Sequence, residues 1–169
     1  MYEKLKHYFK EILTFIVLLA IVTNLLSFYK SLDLNKAPLN LKEFYLLDGI
    51  TYHLNTTEAT IVHFWATWCP VCKTEAPNIE QISKKYQVIT IAVDSGNKQE
   101  IKNYLTQHHL SFKVVNDTTK SLAQQFHIQA YPTTLIYDKN GKLIFSDVGY
   151  TTTLGLYIRL FIVDILSKF

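Results

Sequence analysis

The chain has 169 residues, of which 49% are hydrophobic and 14% aromatic, and a formal net charge of +3. That length suits one domain plus an appendage, and lysines spread along it, rather than gathered on one basic face, argue against nucleic-acid binding. The only cysteines are Cys69 and Cys72, so no unwanted disulfide can form within one chain, which suits an oxidising compartment. At the N-terminus, Lys4, Lys6 and Lys10 stand against Glu3 and Glu11 in a tail spanning 1–11, and 12–29 then runs without a charge. As a helix this run would cover roughly 27 Å, close to a hydrocarbon core of about 30 Å. No Ala-x-Ala-like cleavage site follows, and bulky Phe28-Tyr29-Lys30 occupies its place, so an uncleaved anchor is preferred over a signal peptide or a buried soluble helix. Lysines 4, 6 and 10 precede the span while Lys30 and Lys36 follow it, which favours a cytoplasmic N-terminus and a domain outside the cytoplasm. Residues 30–42 read as a polar tether and 43–169 as the folded domain.

Within that domain, Asp48-Gly49 marks a hairpin between 45–47 and 50–54. The apolar, β-branched run 61–65 predicts a short buried strand. A helix over 70–86 follows, with Pro70 at the first helical position, where its missing N–H costs nothing, and Pro77 expected to kink it. Strands are predicted at 88–93, 112–115, 134–137 and 142–148, the last two joined by a turn at Asp138-Lys139-Asn140-Gly141. Helices are predicted at 97–109, 118–126 and 153–169. The terminal helix is apolar on most sides, interrupted by Arg159 and Asp164; it reads as sheet-covering, with a membrane-surface or dimer contact as the alternative. This alternation gives an α/β domain with a mixed central sheet and helices on both faces.

The chemistry concentrates in Cys69-Pro70-Val71-Cys72. Cys69 falls at a predicted helix N-terminus, where free N–H groups and the helix dipole favour negative charge, so a thiolate there is stabilised as a nucleophile. Cys72 lies one turn on, placed to resolve a mixed disulfide on Cys69. A zinc site would need further ligands at suitable spacing, and His7, His53, His108, His109 and His127 form no such cluster, so no metal is expected. A structural disulfide closing so short a loop would add little stability. With a pair of unreactive buried thiols as the last rival, thiol–disulfide exchange is the favoured reading, its redox group the Cys69–Cys72 disulfide itself and no other cofactor needed.

The surrounding residues sharpen this. Phe64-Trp65-Ala66-Thr67-Trp68-Cys69-x-x-Cys72-Lys73, with Pro77 beyond, resembles the active-site signature of the thioredoxin superfamily, and Ile128-Gln129-Ala130-Tyr131-Pro132-Thr133-Thr134 resembles its cis-proline loop. Glu75 and the 44–54 hairpin are similar to the membrane-anchored TlpA, ResA and CcmG/DsbE branch. The wording Trp68-Cys69-Pro70-Val71-Cys72-Lys73 is most similar to the suppressor-for-copper-sensitivity D proteins within it.

The resemblance implies a thioredoxin-like fold and a cis Tyr131–Pro132 bond against the cysteines. Trp68, Pro70, Val71 and Tyr131 would then contact the client. Tyr131 departs from the Thr or Val of better-known relatives. Glu75, one turn beyond Cys72 on the same helical face, is a solvated carboxylate or a proton acceptor for Cys72; the resemblance favours the second. His63 stands where many thioredoxins carry a buried Asp. It reads as a hydrogen-bonded core histidine, with a proton relay shared with Glu75 as the sharper alternative.

The expected activity is protein disulfide reduction at the periplasmic face of a bacterial inner membrane. A membrane reductant of the DsbD or CcdA kind would supply electrons, and clients would include apocytochrome c thiols. The rivals are a dithiol oxidase of the DsbA type and a non-catalytic module holding Cu(I) or a client.

Overall fold

The computed structural model describes residues 2–31 and 38–167. The order is α1 (Tyr2–Ser31), β1 (Glu43–Tyr45), β2 (Thr51–His53), β3 (Thr60–Trp65), α2 (Pro70–Ser83), β4 (Gln87–Val93), α3 (Lys98–Gln107), β5 (Val114–Asp117), α4 (Ser121–Gln125), β6 (Thr133–Tyr137), β7 (Leu143–Val148) and α5 (Thr153–Leu166).

Five strands form the central sheet in the order β5-β4-β3-β6-β7. β3 pairs parallel with β4, and β4 with β5, whereas β6 runs antiparallel to both β3 and β7. Every residue of β3 and β4 is buried, as their near-continuous apolar sequences require of strands covered on both faces. Side chains alternate between the faces. Ile61, Trp65, Val88 and Ala92 pack with Ile79 and Ile82 of α2 and with Leu156, Leu160 and Val163 of α5. Val62, Phe64, Ile89 and Ile91 pack with Ala123 of α4, the adjacent Phe126, and Phe44 of β1. His63, between Val62 and Phe64, therefore points with Ile61 and Trp65 to the α2–α5 side.

The mixed sheet with helices on both faces matches expectation, with differences at the edges of elements. The hairpin strands are shorter than expected. The chain turns between Leu46, which donates its N–H to the Ile50 carbonyl (2.9 Å), and Gly49, at φ +98°. Leu47 then donates to the Val114 carbonyl at 2.7 Å, which ties the hairpin to the outer strand β5. β5 begins two residues later than predicted because the Phe112 N–H is taken by the Glu80 carboxylate (3.2 Å). α4 begins at Ser121 because Lys120 sits at φ +61°, a left-handed conformation that cannot belong to an α-helix. Asn97, expected as the first residue of a helix, is its cap: its side chain accepts from the Gln99 and Glu100 N–H groups while Glu100 reaches back to the Asn97 N–H. α2 runs on through Pro77 to Ser83.

Residue 1 of the expected tail, residues 32–37 of the expected tether and the last two residues of the expected terminal helix lie outside the described residues. The tether's end already belongs to the domain, for Leu39 donates its N–H to the Gly141 carbonyl at 2.7 Å. Among the described residues no helix is long and apolar enough to cross a membrane. The transmembrane helix expected over 12–29 falls partly on positions whose side chains lie outside that set (20, 23, 24, 26, 28 and 29).

Candidate active site

β3 ends at Trp65, and Ala66-Thr67-Trp68 carries the chain over the sheet's edge into α2. Thr67 is held there by its N–H donating to Ser95 Oγ (3.1 Å), and Trp68 by its indole N–H donating to the Asp94 carbonyl (2.9 Å). Cys69 is the N-cap of α2: its backbone is extended, and its sulfur accepts the Cys72 N–H at 3.2 Å. The sulfur thus takes the place of a capping side-chain oxygen on an otherwise unpartnered helix donor, and a negative charge on it faces the positive end of the helix. Both cysteines are free and buried.

Pro132 is buried next to this pair, and the Tyr131–Pro132 bond is cis. The Cys69 thiol donates to the Tyr131 carbonyl at 3.6 Å. The Tyr131 ring meets Trp68 edge-on, with centroids 5.8 Å apart. Trp68 (58% exposed) and Val71 (44%) leave an apolar rim around Cys69, a residue itself only 5% exposed; Pro70 is exposed beside them. The structure therefore brings Cys69, Cys72, Trp68, Pro70, Val71, Tyr131 and Pro132 together at one end of the sheet.

Beneath the pair the environment is dry. Burial pushes the Cys72 thiol well above its ordinary range; its hydrogen bond to Cys69 and the charges of Cys69 and Glu75 add to this, against a backbone hydrogen bond with Ala66. Glu75 is fully buried. Its Oε1 accepts the Thr151 N–H at 3.0 Å, and its Oε2 has no hydrogen-bond partner. Burial raises this carboxyl to about 8, with the Asp147 charge adding and the Thr151 hydrogen bond opposing. Glu75 is therefore no solvated carboxylate, and it holds its proton at neutral pH.

His63 is buried with Nδ1 2.9 Å from Thr134 Oγ1, its direct partner across β3 and β6. Desolvation brings its pKa down to about 3, so the ring is neutral. This geometry is that of a hydrogen-bonded core histidine.

Asp147 and Arg159 did not stand out in sequence as parts of this site. They pair at 2.7 Å under α5. The signal available was Arg159 interrupting an otherwise apolar helix. Glu80 is another buried carboxylate, but its oxygens accept the Ser111 N–H, the Ser111 hydroxyl and the Phe112 N–H, a structural tie between α2 and the segment leading into β5.

A cysteine pair at the start of a helix, set against a cis-proline loop on a mixed sheet of this order, defines the class of thioredoxin-like dithiol enzymes. The chain belongs to the AhpC/TSA family, whose model matches residues 36–146. It is 30% identical over 169 residues to a thioredoxin-like protein of Haemophilus influenzae, covering 95% of this chain and 98% of that one. It is 29% identical over 99 residues to the thiol-disulfide oxidoreductase ResA of Bacillus cereus, covering 56% of this chain but only 57% of that one. The crystal structure of StoA from Bacillus subtilis superposes with a TM-score of 0.64 at 23% identity, over 74% of this chain and 98% of that one, and so supports the fold. These relatives are of the ResA and StoA type. The narrower likeness to the copper-sensitivity proteins rests on the wording of residues 68–73 alone.

Proposed function

We propose that the protein is a membrane-anchored disulfide reductase, with its own cysteine pair as redox group. The observation that carries the direction is the buried Cys72 above the buried Glu75. A strong dithiol oxidant owes its potential to a stabilised reduced form. Here burial and a neighbouring carboxyl disfavour charge on the second sulfur, which lowers the potential and favours donation of electrons.

In this reading Cys69 attacks a client disulfide, forming a Cys69–client bond while the other client sulfur leaves as a thiolate. Cys72 then attacks Cys69 Sγ; the Cys69–Cys72 bond forms and the remaining client sulfur departs with the electron pair. Trp68, Pro70, Val71 and Tyr131 form the apolar rim against which the client lies, and the Tyr131 backbone beside Cys69 offers it strand-type pairing. Pro132 holds that loop against the pair. Glu75, once it has released its own proton, accepts that of Cys72. His63, neutral and hydrogen-bonded to Thr134, packs the floor of the site.

The anchor is supported by α1. Its side chains at Ile12, Leu13, Phe15, Ile16, Val17, Leu18, Leu19, Ile21, Val22 and Leu25 are all about half exposed or more. Apolar residues all round a helix, rather than on one stripe, suit a lipid surrounding. The lysine distribution supports a domain on the extracytoplasmic side, where a membrane thiol donor of the DsbD or CcdA kind would reduce Cys69–Cys72. By the resemblance that residues 64–77 carry, apocytochrome c, its disulfide returned to thiols, is one client class of this reading.

Membranes carrying the full chain are expected to keep their dithiothreitol-driven reduction of protein disulfides after a carbonate wash. Activity released into the wash would remove the anchor. Stoichiometric Cu(I) retention with no turnover would make the protein a binding module instead.

A further inference from the structure

The register of the sheet sets His63, Thr134 and Asp147 side by side on β3, β6 and β7, because His63 pairs with Thr134 and Thr134 with Asp147. This row lies on the face covered by α2 and α5. Asp147 Oδ1 accepts from Arg159 Nη2 at 2.7 Å, and Arg159 Nη1 donates to the Gly155 carbonyl at 3.1 Å, which fixes the guanidinium. Asp147 Oδ2 is buried without a hydrogen-bond partner, and so is Glu75 Oε2. Two carboxyl groups from different elements thus present the same pattern, one oxygen fixed and the other bare, within electrostatic reach of each other.

An isolated buried carboxylate is costly to desolvate, and a negative charge on Asp147 raises the cost of a second one on Glu75. Arg159 lies against Asp147, so the charge settles on Asp147 and the proton on Glu75. We propose that Asp147, fixed by Arg159, is a positioning residue for the exchange reaction: it forms with Glu75 a buried carboxyl pair holding a single proton, and this pair sets the pH at which Cys72 can release its own. The inference rests on the reading of Glu75 as the acceptor. When Cys72 attacks the mixed disulfide, its proton passes to Glu75 Oε2, free only once the pair has lost its proton, and from there to the departing client thiolate. The groups coupled to Glu75 are Cys72 from α2, Asp147 from β7 and the Thr151 N–H. Neutral His63 on β3 shares its sheet face, and Arg159 on α5 reaches it through Asp147. The two members titrate as a unit.

The test is the pH profile of single-turnover reduction of a peptide disulfide by the full chain in detergent. The wild-type rate is expected to rise through an inflection that Glu75→Gln abolishes. Asp147→Asn is expected to move the inflection at least one unit acidward, a roughly tenfold faster resolution at pH 6. An unmoved inflection in Asp147→Asn, with Glu75→Gln still abolishing it, overturns the pair and leaves the role of Glu75 standing. An inflection that survives Glu75→Gln overturns both. Should Asp147→Asn fail to fold, infrared titration of the wild type decides: a protonated carboxyl band and a second, ionised carboxylate band that both change at the pH of the rate inflection support the pair, and a Glu75 band that titrates with no response from a second carboxylate overturns it.

Discussion

Cys72→Ser is expected to accumulate as a stable mixed disulfide between Cys69 and its client, and Cys69→Ser to reduce disulfides no faster than the uncatalysed background. The asymmetry follows from the helix. Cys69 caps α2 and sits under an apolar rim with its sulfur against the Tyr131 carbonyl, whereas Cys72 is inside the first turn, 2% exposed. Only the first sulfur can meet a client, and only the second can release it. Without Cys72 the attack still occurs, but the Cys69–client bond then waits on an external thiol. Non-reducing electrophoresis and mass spectrometry of Cys72→Ser mixed with a disulfide client would show the adduct. The same adduct in Cys69→Ser would reverse the assignment of nucleophile and resolver.

Glu75→Gln is expected to make the protein more stable at alkaline pH while changing little in acid. The Glu75 carboxyl titrates at about 8 in the folded chain against 4.5 for its ordinary value, chiefly because it is buried. Between those values the unfolded chain has released the proton and the folded chain keeps it. The folded state then binds more protons, so stability falls as pH rises. Below 4.5 both states are protonated and nothing is lost; above about 8 the folded state carries a buried charge and the loss is complete. At 1.36 kcal/mol per unit, the full span is on the order of 5 kcal/mol, or roughly 15 °C in Tm for a domain of this size. Thermal unfolding of both proteins from pH 4.5 to 9 checks this. Parallel curves would mean that Glu75 is ionised throughout.

The cysteine helix and its strand were legible because both signals are local: an apolar β-branched run, then Pro70 where a helix begins. The cis-proline loop was legible only through resemblance, since nothing in Tyr131-Pro132 itself announces which cysteine it will lie against. What escaped were the contacts that depend on distant residues. Phe112 reads as a strand residue, yet its N–H is taken by Glu80 from α2, so β5 starts later. Lys120 reads as helical, but its left-handed backbone postpones α4. Glu75 shows its place on the Cys72 face through helical spacing, whereas its burial depends on Thr151, 76 positions away. Asp147 comes into line with Thr134 and His63 only through the β3-β6-β7 register, which no local pattern specifies.

The central claim is that this pair donates electrons to disulfides. Its most direct test is the reduction potential of Cys69–Cys72, measured on the full chain in detergent equilibrated with thiol–disulfide buffers. A buried second thiol above a protonated carboxyl predicts a value near that of thioredoxin, about −270 mV. A value near about −120 mV, that of a strong dithiol oxidant, would contradict it.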